Sequence, residues 1–398
     1  MNIDQPLQLL AGLSPARFMQ RYWQKKPLLI RQAFDPGDAR LALSRGQLFA
    51  LAAQDDVQAR LVVQEQGVGK ATGKNSAKPP PAWQLHHGPF TRRRLPPLAQ
   101  PGWTLLVQGV DLQHLPVHDL LAQFRFVPDA RLDDVMVSYA TDGGGVGPHF
   151  DSYDVFLLQA QGQRHWDISC QKELALQAGV PLKILKNFVT EQSFLLNPGD
   201  MLYLPPRYAH HGVAVGECIT YSIGYRAPSQ DELAQALLTR LAEQIADEAD
   251  PHAVPALYRD PTQPAVQMPA AIAPALQDFA RQALQRLFEQ PQNAQRALGE
   301  YLTEPKAHVW FDTAPHGLSV DCAKPFAVAL DRRTRMMYDA QHIFINGEAF
   351  EASGRDATLM RLLANQRSLP AAQRARLSPG AEQLLSDWLQ AGWAHATA

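Results

Sequence analysis

Three side chains could share one metal ion. His149 and Asp151 stand two apart in Gly147-Pro148-His149-Phe150-Asp151, and His210 follows 61 residues after His149. Residues i and i+2 of an extended chain point to one side, so this imidazole and carboxylate can converge on one point. Two histidines and a carboxylate on one face of an iron ion leave three positions for an organic acid and dioxygen. An HxD pair alone is more often a solvated pair on a strand. The joint pattern says more, because the second imidazole closes a turn, strand and stop: Pro198-Gly199-Asp200, Met201-Leu202-Tyr203-Leu204, Pro205-Pro206. Counting leaves both His210 and His211 eligible, and the strand phase after the two prolines favours His210. Such a centre also needs a grip on its organic acid. Arg164, 15 residues after His149, could hold a carboxylate through two hydrogen bonds, although apart from the metal pattern an exposed strand-end arginine is as good a reading. Ser138 shares a strand face with Met136 and Ala140 and could point inward as a donor.

These groups need a rigid β scaffold, and Trp103 to Tyr225 reads as one. Short apolar runs recur at 135–139, 155–159, 194–196, 201–204 and 219–225, with His149-Phe150-Asp151 itself expected on a strand. Arg164 to Ile168 is expected on the next-but-one strand after that pair. Strands this close, without regular helices between them, predict an antiparallel barrel or jelly roll and disfavour a parallel α/β sheet. Before them, residues 1–60 read as helix with loops, including a capped stretch at Asp4–Leu13 and a capping box at Ser44-Arg45-Gly46-Gln47. Gln64 to Pro81 reads as an exposed loop. Its glycines and lysines miss the phosphate-loop spacing, since only three residues separate Gly69 from Gly73 and Lys74 precedes Asn75. Gly143 to Gly147 likewise fails as a dinucleotide fingerprint, because Pro148 stands where a glycine is needed. After Ser229, a second capping box opens a helix carrying Leu233, Leu237, Leu241 and Ile245. The proline-rich stretch Pro251–Pro274 then leads to another helix with Ile272, Leu276, Phe279 and Leu287. Asn346-Gly347 marks a hairpin, since both residues tolerate positive φ. Helices around 359–363 and 384–389 complete a small module of winged-helix type.

Bulk properties narrow the class. Charged residues are 19% and apolar ones 46%, which excludes a disordered chain or a coiled coil. A net charge of −2 gives no support for wrapping nucleic acid, although local contact stays possible. Prolines (31) outnumber glycines (25), so short elements and fixed turns are expected. Cys170, Cys218 and Cys322 form no CxxC pair, which argues against a thiolate zinc site or a redox dithiol and suits a reducing compartment. No apolar run spans a bilayer and the start lacks a secretory pattern, so a cytoplasmic location and no membrane are expected.

The motifs together resemble the JmjC/cupin oxygenases, and more closely the bacterial ribosomal oxygenases that hydroxylate an arginine of the sixteenth large-subunit ribosomal protein. The likeness rests on Arg21 to Leu28, Gly88-Pro89-Phe90, Trp103 to Gln108, Asp133 to Ser138, Gly143 to Phe156, Pro198 to Pro206 and Tyr221 to Pro228. It is dense over residues 15–228 and looser beyond. The resemblance implies an α+β chain with a double-stranded β-helix catalytic domain at 1–228, a helical dimerisation domain at 229–304 and a winged-helix-like domain at 305–398. It implies an Fe(II)- and 2-oxoglutarate-dependent dioxygenase acting on the arginine β-carbon of a ribosomal protein, and a homodimer joined through the middle helices. His149, Asp151 and His210 would bind iron, Arg164 and Ser138 would hold 2-oxoglutarate, and Asp134 and Tyr153 would clasp the substrate. Arg207 departs from the pattern in a slot where cupin motifs usually carry glycine, and the His210-His211 pair is a second departure. Two rival readings remain: the same chemistry as histidyl hydroxylation or N-methyl demethylation, or a winged-helix regulator of nucleic acid sensing 2-oxoglutarate or oxygen.

Overall fold

The computed structural model describes residues 2–65, 82–247, 256–289, 291–313 and 326–397. Nearly all of the expected loop at 64–81, with its phosphate-loop near-miss, lies outside them, as do the start of the proline-rich stretch and Cys322. The chain divides into two compact units, residues 1–227 and 228–398.

Among the described residues, nine strands build the first unit: β1 (Leu28–Ile30), β2 (Ala59–Glu65), β3 (Ala82–His87), β4 (Trp103–Val107), β5 (Leu132–Ala140), β6 (Val155–Ser169), β7 (Gln192–Leu196), β8 (Met201–Leu204) and β9 (Ala209–Tyr225). Their order is β1-β8-β6-β9-β5-β4-β2-β3, with β7 also beside β6. Every pairing is antiparallel. The two long strands β6 and β9 pair from end to end. The other edge of β6 takes β8 along residues 155–158 and β7 along 164–168. One strand thus serves two sheet halves, which winds the chain into a double-stranded β-helix. The β6–β9 register shifts between Gln159 and Gln163, around Gly162 at φ +65. A side chain there would meet the Glu217 carbonyl at 2.1 Å, so the bulge needs glycine.

The core is aromatic where the helices cover the barrel. Phe156 lies 5.5 Å from Phe18, 5.0 Å from Phe124 and 4.9 Å from Tyr203, ring centre to ring centre. Buried Asp154 accepts a 2.6 Å hydrogen bond from the Tyr203 hydroxyl, so the polar tip of that ring is satisfied inside the core.

Several expectations need correction. Asp4–Leu13 forms only a 3-10 turn at Gln8–Leu10, ended by left-handed Ala11 and Gly12; the first α-helix is Pro15–Arg21, capped by Ser14. Strand β1 and the start of β2 fall within residues 1–60, read as helix with loops, and β3 follows the expected loop in a stretch for which the sequence predicts no element. Arg164 is not on a separate strand, because Val155–Ser169 is continuous. The residues around His149 and Asp151 form an extended connector with one bridge, His149 to His210, rather than a strand. The capping box at Ser44 is present and starts the helix Arg45–Ala52.

In the second unit, Ser229 caps the helix Gln230–Asp247, and helices Pro274–Glu289 and Pro291–Thr303 follow. The hairpin falls where expected, with Asn346 at φ +48 and Gly347 at φ +91 joining His342–Ile345 to Glu348–Glu351. Helices Gly354–Gln366 and Pro379–Gln390 pack Leu359, Leu363, Leu385 and Trp388 into this unit's own core.

Candidate metal and oxo-acid site

The mouth of the barrel brings two chain segments together. Pro205-Pro206 ends β8, and Arg207 at φ +63 turns the chain into β9, so that His210 is its second residue. The glycine-like slot noted in the sequence is therefore a left-handed position, which Arg207 occupies at some conformational cost. Its N–H donates to the Asp151 carbonyl at 2.7 Å, and the backbones of His149 and His210 exchange bonds of 2.9 and 2.8 Å. The connector is thereby fastened to β9 without being a strand.

Side chains follow from that frame. Ligand atoms of His149, Asp151 and His210 lie within 4.8 Å of one another, and His210 Nε2 is 3.6 Å from Asp151 Oδ2. Each ring places Nδ1 2.9 Å from a carbonyl two residues back, Gly147 for His149 and Tyr208 for His210. A carbonyl only accepts, so each Nδ1 carries the proton and each Nε2 lone pair is left for a cation. Burial, aided by neighbouring His149, pushes the His210 imidazole down to about 4, which keeps it neutral as a ligand must be. Two imidazole nitrogens and one carboxylate on a single face suit Fe(II) with open positions opposite. His211 points elsewhere, its ring 6.2 Å from that of Phe188.

The triad borders a cavity of about 500 Å³ that also includes Arg164, Ser138, Asp134 and Tyr153. All seven candidate residues thus meet at one place. Arg164 is 3% exposed. Its Nη2 donates to the Gly212 carbonyl at 3.1 Å, whereas Nε and Nη1 have no hydrogen-bond partner among the described residues. Burial lowers its affinity for the proton, against smaller opposing contributions from neighbouring Cys218. An organic carboxylate would satisfy both the charge and the orphan donors. Ser138 Oγ makes one long bond of 3.4 Å to the Thr220 carbonyl. Asp134 is nearly buried, and both its oxygens accept from Gln108 Nε2 at 2.9 and 3.0 Å. Tyr153 is half-exposed; burial of its hydroxyl end, then the carboxylates of Asp151 and Asp134, raise its pKa and keep the phenol neutral.

Further residues line the cavity, among them Arg60, Gln108, Trp166, Lys183 and Thr220. Trp166 was within reach of the sequence, being two residues from Arg164 on one strand face. Arg60 was hidden with β2, and Lys183 sits in the connection between β6 and β7, where no periodic pattern marks it.

Residues 119–233 match the JmjC domain, and residues 282–395 match the ROXA-like winged helix. Over 305 residues the chain is 32% identical to a ribosomal protein uL16 3-hydroxylase of Escherichia coli, covering 75% of this chain and 73% of that protein. A probable ribosomal oxygenase of Haemophilus influenzae is 33% identical over 59% of this chain and 55% of its own. Among solved structures, the E. coli ribosomal oxygenase YcfD in complex with cobalt and 2-oxoglutarate aligns with a TM-score of 0.74 at 28% identity, over 96% of this chain and 98% of that one.

Proposed function

Because the chain belongs to the JmjC-type ribosomal oxygenases, we propose that it is an Fe(II)- and 2-oxoglutarate-dependent dioxygenase that hydroxylates an arginine β-carbon of ribosomal protein uL16. The observation that carries this reading is the convergence of His149, Asp151 and His210 on the cavity that holds the half-satisfied guanidinium of Arg164. Iron(II) with 2-oxoglutarate and dioxygen supplies the oxidant for an unactivated C–H bond, releasing succinate and carbon dioxide.

The residues bind, orient and exclude water. His149, Asp151 and His210 hold the metal on one face. Arg164 takes the distal carboxylate of 2-oxoglutarate, and Ser138 donates a second hydrogen bond to it. Asp134 accepts from the substrate guanidinium, and Tyr153 lies against that group's flat face. Gln108 holds the Asp134 carboxylate in one orientation, so the target carbon is presented at a fixed depth. Apolar walls from Val155, Leu157 and Trp166 keep the reacting pocket dry. We assign catalysis to residues 1–228, self-association to 229–304 and the winged helix to 305–398, in a cytoplasmic homodimer.

Incubating the protein with Fe(II), 2-oxoglutarate and uL16 should add one oxygen atom to a single arginine, with succinate formed in equal amount. Fragment mass spectrometry locates the modified residue. Oxygen on a histidine, or loss of an N-methyl group, would overturn the arginine assignment; absence of both succinate and a mass gain would overturn the oxygenase reading.

A further inference from the structure

The guanidinium of Arg164 is set by its immediate neighbours as much as by its own strand. Trp166, two residues along β6, places its ring 5.2 Å from the guanidinium carbon and 5.8 Å from the ring of His210. On the partner strand, Gly212 pairs with Trp166 and Ala214 with Arg164. A side chain at Gly212 would lie 2.6 Å from the far edge of the Trp166 ring and 2.8 Å from Arg164 Nε. Gly212 is not in the left-handed region, so its lack of a side chain answers to that space rather than to backbone strain. Its carbonyl accepts a 3.1 Å hydrogen bond from Arg164 Nη2. The third side of this cradle is the thiol of buried Cys218.

We propose that Gly212 and Trp166 are positioning residues for cosubstrate selection: together they fix Arg164 where it prefers a 2-oxo acid bearing a distal carboxylate. The inference rests on the reading of Arg164 as the group that holds 2-oxoglutarate. All three colliding atoms belong to side chains, so a methyl group at 212 displaces the guanidinium and the indole while the β6–β9 ladder can stay in place. The loss should therefore be confined to ligands that need Arg164.

The test is calorimetric titration of the Mn(II)-loaded full-length protein with 2-oxoglutarate and with 2-oxopentanoate, which replaces the distal carboxylate by a methyl group. Wild type should prefer 2-oxoglutarate. Gly212→Ala should weaken 2-oxoglutarate about tenfold or more, the scale of a lost charge-assisted bond, while 2-oxopentanoate and Mn(II) affinities stay within about twofold. A retained preference, or an equal fall for both acids, would overturn the positioning role. Should Gly212→Ala fail to fold, Trp166→Leu serves instead: it removes the stacking face and should also erase the preference, and a preference kept there overturns the proposal. A wild type without any preference would refute the assignment of Arg164 itself, and the cradle with it.

Discussion

At the scale of single residues, hydrogen bonds decide between neighbours that spacing leaves equal. His210 has its Nδ1 engaged by a backbone carbonyl and its Nε2 turned to Asp151, whereas His211 packs by Phe188 on the other face of β9. His210→Ala should abolish tight Mn(II) binding and turnover, whereas His211→Ala should retain both; equilibrium dialysis with the metal reads the difference. Removing the metal with a chelator should likewise stop wild-type turnover, and Fe(II) should restore it. Gln108 allows a finer test, since its amide donates to both Asp134 oxygens. Gln108→Leu keeps the volume but removes the amide that binds both Asp134 oxygens, so the KM for uL16 should rise about tenfold while the KM for 2-oxoglutarate is unchanged. A parallel rise in both would mean that the whole cavity had been disturbed. The triad could be read from sequence because its spacing and flanking prolines are local. The Gly212 cradle could not, since its meaning arises only when a residue 48 positions away folds against it.

At the scale of elements, the long pair β6–β9 carries the site, and its bulge at Gly162 sets the register that brings Trp166 opposite Gly212 and Ile168 opposite His210. Gly162→Ala would combine positive φ with a side chain 2.1 Å from a backbone carbonyl that cannot retreat. It should cost at least about 2 kcal/mol, seen as a lower urea midpoint. A change within about 0.5 kcal/mol would show that the bulge tolerates a Cβ. The strands from 132 to 225 were legible because their apolar runs are bounded by turn residues. Strand β2 was not, because Ala59-Arg60-Leu61-Val62-Val63 is a short run beside a Gly- and Lys-rich stretch and resembles a helix end. The continuity of β6 was hidden by Gln159 to Gln163, a polar interval that reads as a turn yet is the bulge itself. The Asp4–Leu13 helix failed because Gly12 and Ala11 adopt left-handed backbone, which ends a helix after one turn.

At the scale of the whole molecule, the neutral charge balance leaves two questions, nucleic acid and self-association, and the second unit bears on both. Arg333, one of the cations that a nucleic-acid reading needs, is committed to Asp331 at 2.8 Å and to Asp312 at 3.0 Å. Burial alone would raise the Asp331 pKa, but its hydrogen bonds from Arg333 and His395 override this and hold it below the usual carboxylate range. That pairing stabilises the fold above the unfolded-state value near 4 and is lost as pH falls further, so its role is structural. The helices tell a different story. Leu238 and Ile245 on Gln230–Asp247, with Leu276 and Leu284 on Pro274–Glu289, are between 41% and 58% exposed, and Met268 and Ile272 beside them are more so. A run of large apolar groups at helical spacing gains little from water and much from a matching surface. The proposed homodimer would supply such a surface by symmetry. Sedimentation equilibrium should therefore give a dimer for wild type and a monomer for the Leu276→Glu/Leu284→Glu double variant. The monomer should keep Mn(II) affinity, because the triad lies wholly within residues 149–210 of the first unit. A wild type that sediments as a monomer would refute the dimer.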